Sequence, residues 1–307
     1  MSLFNGPGDS PGPFGFLWQS TGMSMPSRRI GGVRVGAVGL GAMPMSLAGR
    51  PDEARSLRTI HAALDAGVTL IDTADAYCLG ESEVGHNERL VAKALASWPG
   101  GRDGVLVATK GGHTRPGREW GLDGRPEHLR QACEASLRAL GVEAIGLYQL
   151  HRPDPKVPFA ESVGALAELR AAGKVRMVGL SNVSVNQIEL ARRIVEVASV
   201  QNEFSPRFRR SEGELAWCAA HRIAFLPWSP LGGIGRGGML GQRHSAFAEV
   251  AGRHGVSPQQ VALAWELAKA PVVIPIPGAR RPETIADSAA AATLRLDDDE
   301  LDRLDVL

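Results

Sequence analysis

The feature that most constrains this sequence is a series of short apolar runs that each end in a reactive polar side chain. Residues 69–71 lead into Asp72, and VLVAT, LYQL and MVGL lead into Lys110, into His151, and into Ser181 and Asn182. Apolar runs of this length are typical of buried strands. In an α/β barrel, the carboxyl ends of parallel strands carry the catalytic side chains. The pattern therefore predicts a site where these side chains meet.

Strand and helix signals alternate along the rest of the chain. A tight hairpin with Gly31 and Gly32 at its turn comes first, and later helical segments end at glycines such as Gly67 and Gly141. This order predicts an α/β protein, a closed (β/α)8 TIM barrel with an N-terminal β-hairpin. An open doubly wound sheet is the alternative. The eight strands are expected at residues 37–41, 69–72, 105–110, 145–150, 175–180, 199–202, 224–228 and 272–276.

The length of 307 residues fits a single barrel, but the N-terminal segment has a different composition. Residues 1–27 are rich in glycine, proline and serine, have no periodicity, and lack the basic start of a secretory signal. We expect them to form a flexible tail, or to precede an older start at Met23 or Met25. Residues 28–307 are expected to form one catalytic domain.

The net charge, the apolar runs and the cysteine spacing indicate which partners and which compartment to expect. The formal net charge of +1 gives no overall field that would attract nucleic acid or an acidic membrane, and no apolar run is long enough to cross a bilayer. Cys78, Cys133 and Cys218 are scattered, which fits a reducing compartment and predicts a cytoplasmic protein. No metal-ligand spacing is present, so no metal is predicted. A monomer or weak homo-oligomer is expected.

Four side chains suggest a common chemistry. Asp72, Lys110 and His151 end consecutive predicted strands, and Tyr77 follows Asp72 by five residues. A free phenol has a pKa near ~10, but a neighbouring ammonium favours the phenolate, and a carboxylate keeps that ammonium charged. Such a phenol can exchange a proton with a substrate oxygen that the imidazole orients. The group has no electron source, so a cofactor is implied. Taken singly, Asp72, Lys110 and His151 are each better explained by a structural role, and it is their combination that indicates catalysis.

Nearly the whole chain resembles the aldo-keto reductase family. The resemblance is carried, in family order, by GLGAMPM, DAGVTLIDTADAY, VATK, LYQLHRP, GKVRMVGLSN, QNEFSP, LPWSPLGG and IPGARRPE. It implies a single (β/α)8 barrel and NADPH-dependent reduction of aldehydes or ketones to alcohols. Tyr77 would be the general acid, Lys110 would lower its pKa, Asp72 would hold Lys110, and His151 would orient the carbonyl.

The resemblance also implies a cofactor site. Ser181, Asn182 and Gln201 would bond the nicotinamide carboxamide, and Trp228 would stack on the nicotinamide ring. Residues 229–233 would wrap the pyrophosphate, because glycines let backbone amides approach closely. The full set of predicted cofactor contacts is Gly41, Met43, Asp72, Ser181, Asn182, Gln201, Trp228, Ser229, Leu231, Gly232, Gly278, Arg280, Thr284 and Ser288.

The adenosine end departs from the family pattern. Many relatives have a Lys-Ser pair after the last strand, whereas this chain has Gly278 and Ala279. Arg280 can pair a 2′-phosphate bidentately, so NADPH is favoured over NADH. The alternative function is an NADPH-binding redox sensor or regulatory protein with little turnover.

The substrate, a small carbonyl compound, is not specified by the motifs, because variable loops shape the pocket. An open site with broad tolerance for aldehydes and ketones is expected. The candidate pocket residues, for which ordinary loop packing is an equal alternative, are His113, Trp120, Phe204 and Phe208.

Overall fold

The computed structural model describes residues 25–233 and 235–306, and it contains the predicted N-terminal hairpin. Strand β1 (Ser27–Ile30) pairs antiparallel with β2 (Val33–Gly36). Gly31 makes the turn with a φ of 54°, a conformation that glycine adopts without steric cost. Most of the predicted tail lies outside the described residues. Its last residue, Ser27, belongs to β1, so the hairpin includes one residue that was predicted to lie in the tail.

The centre of the fold is a parallel sheet of seven strands. Its strands, in spatial order, are β11 (Ala224–Phe225), β10 (Val197–Gln201), β9 (Val175–Ser181), β8 (Ile145–Leu150), β5 (Leu106–Gly111), β4 (Leu70–Asp72) and β3 (Leu40–Gly41). A further small antiparallel pair, β6 (His113–Thr114) and β7 (Gly121–Leu122), lies in the loop after β5.

Helices follow most of the strands, as predicted. They are α1 (Glu53–Asp65), α2 (His86–Ser97), α3 (Pro126–Leu140), α4 (Phe159–Ala171), α5 (Val185–Arg192), α6 (Glu212–His221), α7 (Leu240–Arg243), α8 (Ser245–His254), α9 (Pro258–Lys269), α10 (Pro282–Ala290) and α11 (Asp298–Asp305). Their apolar faces pack against the sheet in two clusters. The larger cluster includes the fully buried Trp265, whose indole stacks on Phe204 at 5.6 Å between ring centroids.

The prediction of a closed eight-stranded barrel is wrong for the regular sheet, because residues 272–276 do not form a strand. This segment makes separate hydrogen bonds with both edges of the sheet. Ile274 N donates to Phe225 O at 2.9 Å, and Gly39 N donates to Pro275 O at 2.9 Å. Two prolines in and directly after the segment lack an N–H group, so a continuous ladder cannot form there.

Val84, Leu90, Val91 and Leu95 recur along one side of residues 81–98 and predict a single helix there, but the observed helix is shorter. A 3-10 turn at Glu81–Glu83 is separated from α2 by Gly85, whose φ is 79°. Gly85 N donates to Asp75 O at 2.8 Å, which ties this break to the loop after β4. A contact that is distant along the chain thus interrupts a segment whose apolar periodicity is continuous.

One buried acid makes the stability of the fold depend on pH. Glu266 in α9 is fully buried, and neither of its carboxylate oxygens has a hydrogen-bond partner among the described residues. Burial raises the pKa of Glu266 well above its ordinary value of 4.5. The unfolded chain therefore releases this proton at a lower pH than the folded chain does. Its contribution to stability consequently falls as pH rises above the ordinary value.

We predict that Glu266→Gln, which cannot ionise, raises the melting temperature relative to wild type by an amount that grows between pH 5 and pH 8. The increase in melting temperature at pH 8 should be a few degrees, because the variant has no carboxylate that would have to be buried in its charged form. Differential scanning calorimetry at several pH values measures it. Glu143→Gln, at an exposed position, is the control. Parallel pH curves for wild type and Glu266→Gln would contradict the argument.

Candidate active site

Three neighbouring strands position most of the predicted catalytic side chains. Asp72 ends β4, Lys110 lies near the end of β5, and His151 directly follows β8, which pairs with β5. Successive side chains of a strand point to opposite faces, so Gln149 and His151 lie on the same face. Tyr77 comes from the loop after β4. The strand ends therefore bring together side chains that are up to 79 positions apart in the sequence.

The Lys110 ammonium is the centre of this group. Its Nζ donates to Asp72 Oδ1 at 2.5 Å, to the backbone carbonyl of Thr73 at 2.8 Å, and to Tyr77 Oη at 3.0 Å. The His151 ring meets the Tyr77 ring edge-on at 5.6 Å between centroids. Lys110 is 0% exposed and Tyr77 is 6% exposed, so these bonds form away from bulk water.

The buried ion pair keeps Lys110 charged. Burial by itself lowers the pKa of Lys110, but the Asp72 carboxylate and the Tyr77 oxygen outweigh burial, and the pKa is raised overall. The second oxygen of Asp72 accepts hydrogen bonds from Gln201 Nε2 at 2.8 Å and Gln149 Nε2 at 3.2 Å. These two donors hold the Asp72 carboxylate in position opposite the Lys110 ammonium.

The pKa of Tyr77 differs from the expectation that Lys110 would lower it. Burial raises the pKa of Tyr77 above its ordinary value of 10.0, and the positive charge of Lys110 opposes this effect without overcoming it. The phenol is therefore protonated at neutral pH. It can donate a proton, and Lys110 is in place to stabilise the phenolate left behind.

His151 is a neutral imidazole in this site. Burial lowers its pKa well below 6.5, and the positive charge of Lys110 acts in the same direction. Its Nδ1 has no hydrogen-bond partner among the described residues. The uncharged ring can therefore serve as a hydrogen-bonding group at neutral pH.

Several polar residues that support the site were not predicted from the sequence. Gln149 bonds Asp72, and strand alternation from His151 could have placed it in the same layer. Asp75 and Glu88 lie buried close to Lys110, and Glu88 accepts a hydrogen bond from Thr109 Oγ1 at 2.5 Å. Burial raises the pKa of both acids. Since both therefore favour the neutral form, Asp72 is the carboxylate that pairs with Lys110.

A cavity of about 1010 Å³ opens above these side chains. This size is at the upper end of the roughly 300–1,000 Å³ typical of ligand pockets. All but two of the predicted cofactor contacts line it. Of the two exceptions, Gly232 lines a small neighbouring crevice, and Ser288 is buried in α10. The residues of the set that line the cavity are Gly41, Met43, Asp72, Ser181, Asn182, Gln201, Trp228, Ser229, Leu231, Gly278, Arg280 and Thr284.

The groups in this wall suit a nicotinamide dinucleotide. Asn182 Oδ1 and Gln201 Oε1 accept no hydrogen bond from the described residues, so both can accept one from a carboxamide. Asn182 and Ser229 have φ values of 59° and 53°, a strained conformation that clusters at ligand sites. Gly233 and Gly235, in the loop after Trp228, also line the cavity, and glycine leaves the backbone amides open to a ligand. Arg280 supplies a cation.

The substrate end of the cavity is aromatic. The rings of Tyr77, His151, His113 and Trp120 form a series of edge-on contacts with centroid distances of 5.6, 4.3 and 5.4 Å. His113 and Trp120 therefore line the pocket as expected. The other two candidates do not line it: Phe204 is fully buried in the core, and Phe208 lies outside the cavity wall.

Comparison with known proteins agrees with this geometry. The sequence profile described as the Aldo/keto reductase family matches residues 37–307. The chain belongs to the aldo/keto reductase family. It is an oxidoreductase that acts on carbonyl groups, and the predicted family and enzyme class are confirmed.

Individual relatives of this aldo/keto reductase resemble it over most of their length. An uncharacterized oxidoreductase of Schizosaccharomyces pombe is 36% identical over 282 residues, covering 90% of this chain and 88% of that protein. A glycerol dehydrogenase structure from Gluconobacter oxydans has a TM-score of 0.80 and 31% identity, covering 92% and 95%. An aldo-keto reductase from Klebsiella pneumoniae, solved with NADPH, has a TM-score of 0.76 and 29% identity, covering 92% and 95%.

None of the helices in the described part of the chain combines the length and apolar character that a membrane crossing requires. The predicted compartment, the absence of a metal and the oligomeric state stay predictions.

We predict that Asp72→Ala lowers the free energy of unfolding by about 3–5 kcal/mol, because it leaves the Lys110 ammonium buried without its carboxylate. The double variant Asp72→Ala/Lys110→Met should recover most of this loss, since it removes the unpaired charge. Urea unfolding measures both. As a control, Glu168→Ala breaks the exposed pair with Arg130 and should cost less than about 1 kcal/mol. A double variant no more stable than Asp72→Ala would refute this account.

Proposed function

We propose that this aldo/keto reductase uses NADPH to reduce aldehydes or ketones to alcohols, with Tyr77 as the general acid. The observation that carries the proposal is the buried triad of Asp72, Lys110 and Tyr77 at the base of a large cavity. In this triad, the protonated phenol of Tyr77 is hydrogen-bonded to the Lys110 ammonium, which can stabilise the phenolate. The K. pneumoniae relative solved with NADPH supports the choice of cofactor.

The bound cofactor supplies a hydride for the carbonyl carbon. As negative charge develops on the carbonyl oxygen, Tyr77 Oη transfers its proton to that oxygen. The charge then left on the phenolate is 3.0 Å from the Lys110 ammonium, which stabilises it. The neutral His151 ring donates a hydrogen bond to the same oxygen and orients the carbonyl. The burial of the triad strengthens each of these interactions, because the local dielectric is low.

The same wall residues would hold the cofactor. Asn182 Oδ1 and Gln201 Oε1 could accept hydrogen bonds from the carboxamide nitrogen, the Ser181 hydroxyl could bond its oxygen, and Trp228 would offer a ring face to the nicotinamide. Backbone amides of the glycine-rich loop after Trp228 would bind the pyrophosphate. The Arg280 guanidinium, which donates to Pro44 O and Ala48 O at 3.2 Å each, would pair with the 2′-phosphate.

The redox-sensor alternative predicts tight NADPH binding with little turnover. No feature of the described residues favours it, because the proton donor and its supporting charges are complete. Fluorescence titration with NADPH, followed by addition of 4-nitrobenzaldehyde and measurement of NADPH absorbance, separates the two functions.

We predict that Tyr77→Phe lowers kcat for 4-nitrobenzaldehyde by about 100-fold or more, because the variant has no proton to give to the carbonyl oxygen. The Kd for NADPH, measured by fluorescence, should stay close to that of wild type, since the phenol acts on the substrate. Tyr148→Phe is the matched control, because Tyr148 is a fully buried tyrosine on β8. Turnover close to wild type in Tyr77→Phe would end the assignment of Tyr77.

We predict that Arg280→Ala raises the Kd for NADPH by about tenfold or more and changes the Kd for NADH much less. The reason is that only NADPH carries the 2′-phosphate that can pair with the guanidinium. Fluorescence titration of both cofactors measures the effect, with Arg29→Ala in the N-terminal hairpin as the control. An equal loss of affinity for the two cofactors would show that Arg280 does not bind the 2′-phosphate.

A further inference from the structure

The wall of the cavity contains an arginine that the reaction described above does not use. Arg152 directly follows His151, lines the cavity and is exposed. Among the described residues it makes neither an ion pair nor a side-chain hydrogen bond. Arg130 and Arg170, which are half-buried, differ in this respect, because they pair with Glu168 and Glu196. All five N–H groups of Arg152 are therefore available to a ligand.

The charges around Arg152 do not neutralise it. Glu203, on the loop after β10, is the acid whose titration Arg152 affects. Burial raises the pKa of Glu203, and Arg152, Arg207 and Arg236 oppose this effect. Within the described part of the chain none of these three arginines has a carboxylate in ion-pair contact. Arg207 and Arg236 line the small crevice beside the cavity, so the surroundings of Glu203 and Arg152 carry more positive than negative charge, although the net charge of the whole chain is only +1.

Arg152 lies near a row of aromatic rings that begins at the reacting group, Tyr77; this row is called the aromatic wall below. The rings of His151 and His113 lead outward from Tyr77 towards Trp120, with Arg115 stacked over the Trp120 ring at 4.1 Å. Arg152 lines the same cavity as His113, Trp120 and His151 of this aromatic wall. A carbonyl at Tyr77 with an apolar or aromatic body would therefore extend past the Arg152 guanidinium.

We propose that the carbonyl substrate of this enzyme carries an anionic oxygen group, a carboxylate or a phosphate, and that Arg152 binds it. This inference rests on the proposed reductase function and adds the substrate class. The planar guanidinium matches the two oxygens of such a group and can bond them in parallel. Because Arg152 lies at the open end of the cavity, it favours the binding of anionic substrates without contacting the atoms that react.

The test compares substrates that share one aldehyde and differ in charge. These are 4-formylbenzoate, its neutral methyl ester, and 4-formylphenyl phosphate. For wild type, we expect kcat/KM for the carboxylate, the phosphate or both to exceed that for the ester, although the ester group activates the aldehyde more strongly. Arg152→Gln should lower the ratio of kcat/KM for the anionic substrate to kcat/KM for the ester by about tenfold or more. Arg152→Lys should retain part of the preference for the anion.

Arg176→Gln is the matched control, because it removes the same charge from an exposed position at the start of β9. It should leave the ratio as in wild type. A readout independent of turnover is the Kd of 4-(hydroxymethyl)benzoate for the NADP⁺-bound protein, measured by calorimetry, which should rise in Arg152→Gln and stay constant in Arg176→Gln.

The outcomes separate this inference from the proposed function. Turnover of the ester with no anion preference in wild type, or a preference that Arg152→Gln leaves intact, would overturn the role of Arg152 while the reductase stands. If none of the aldehydes is reduced, the proposed function fails, and the calorimetric comparison then decides whether Arg152 binds the anion.

Discussion

The structure of this site depends on one buried ion pair, between Lys110 and Asp72. An ammonium that is 0% exposed is tolerated only when its charge is matched and its N–H groups are bonded. Asp72, the carbonyl of Thr73 and Tyr77 Oη supply those three partners. The requirement explains why β4, β5 and the loop that carries Tyr77 must meet in one arrangement.

The surroundings of this pair assign a protonation state to each reacting group. Burial alone would neutralise Lys110, but Asp72 reverses that effect, whereas burial dominates for Tyr77 and His151. The result is a charged lysine, a protonated phenol and a neutral imidazole in contact. This combination suits proton donation to a carbonyl oxygen at neutral pH. It follows from opposing electrostatic effects whose balance depends on depth and distance.

Much of the architecture is local enough to be read from the sequence. The apolar runs predicted seven strands at nearly their observed places, and glycines at helix ends predicted where α1 and α3 stop. The errors occur where distant contacts decide. Residues 272–276 have a strand-like composition, yet the neighbouring prolines break the ladder. The helix before Ser97 is interrupted at Gly85 by a bond to Asp75. The apolar periodicity of the sequence gives no information about either of these two effects.

In the candidate active site, too, some features follow from the local sequence and others from contacts between distant segments. The sequence by itself determined which residue types end the strands, namely Asp72, Lys110 and His151, because side-chain identity and strand order are both written in the chain. Only the tertiary structure decided the protonation of Tyr77, the partners of Asp72 and the isolation of Arg152. Those properties depend on distances and solvent exposure between segments far apart in sequence, and no local pattern specifies them.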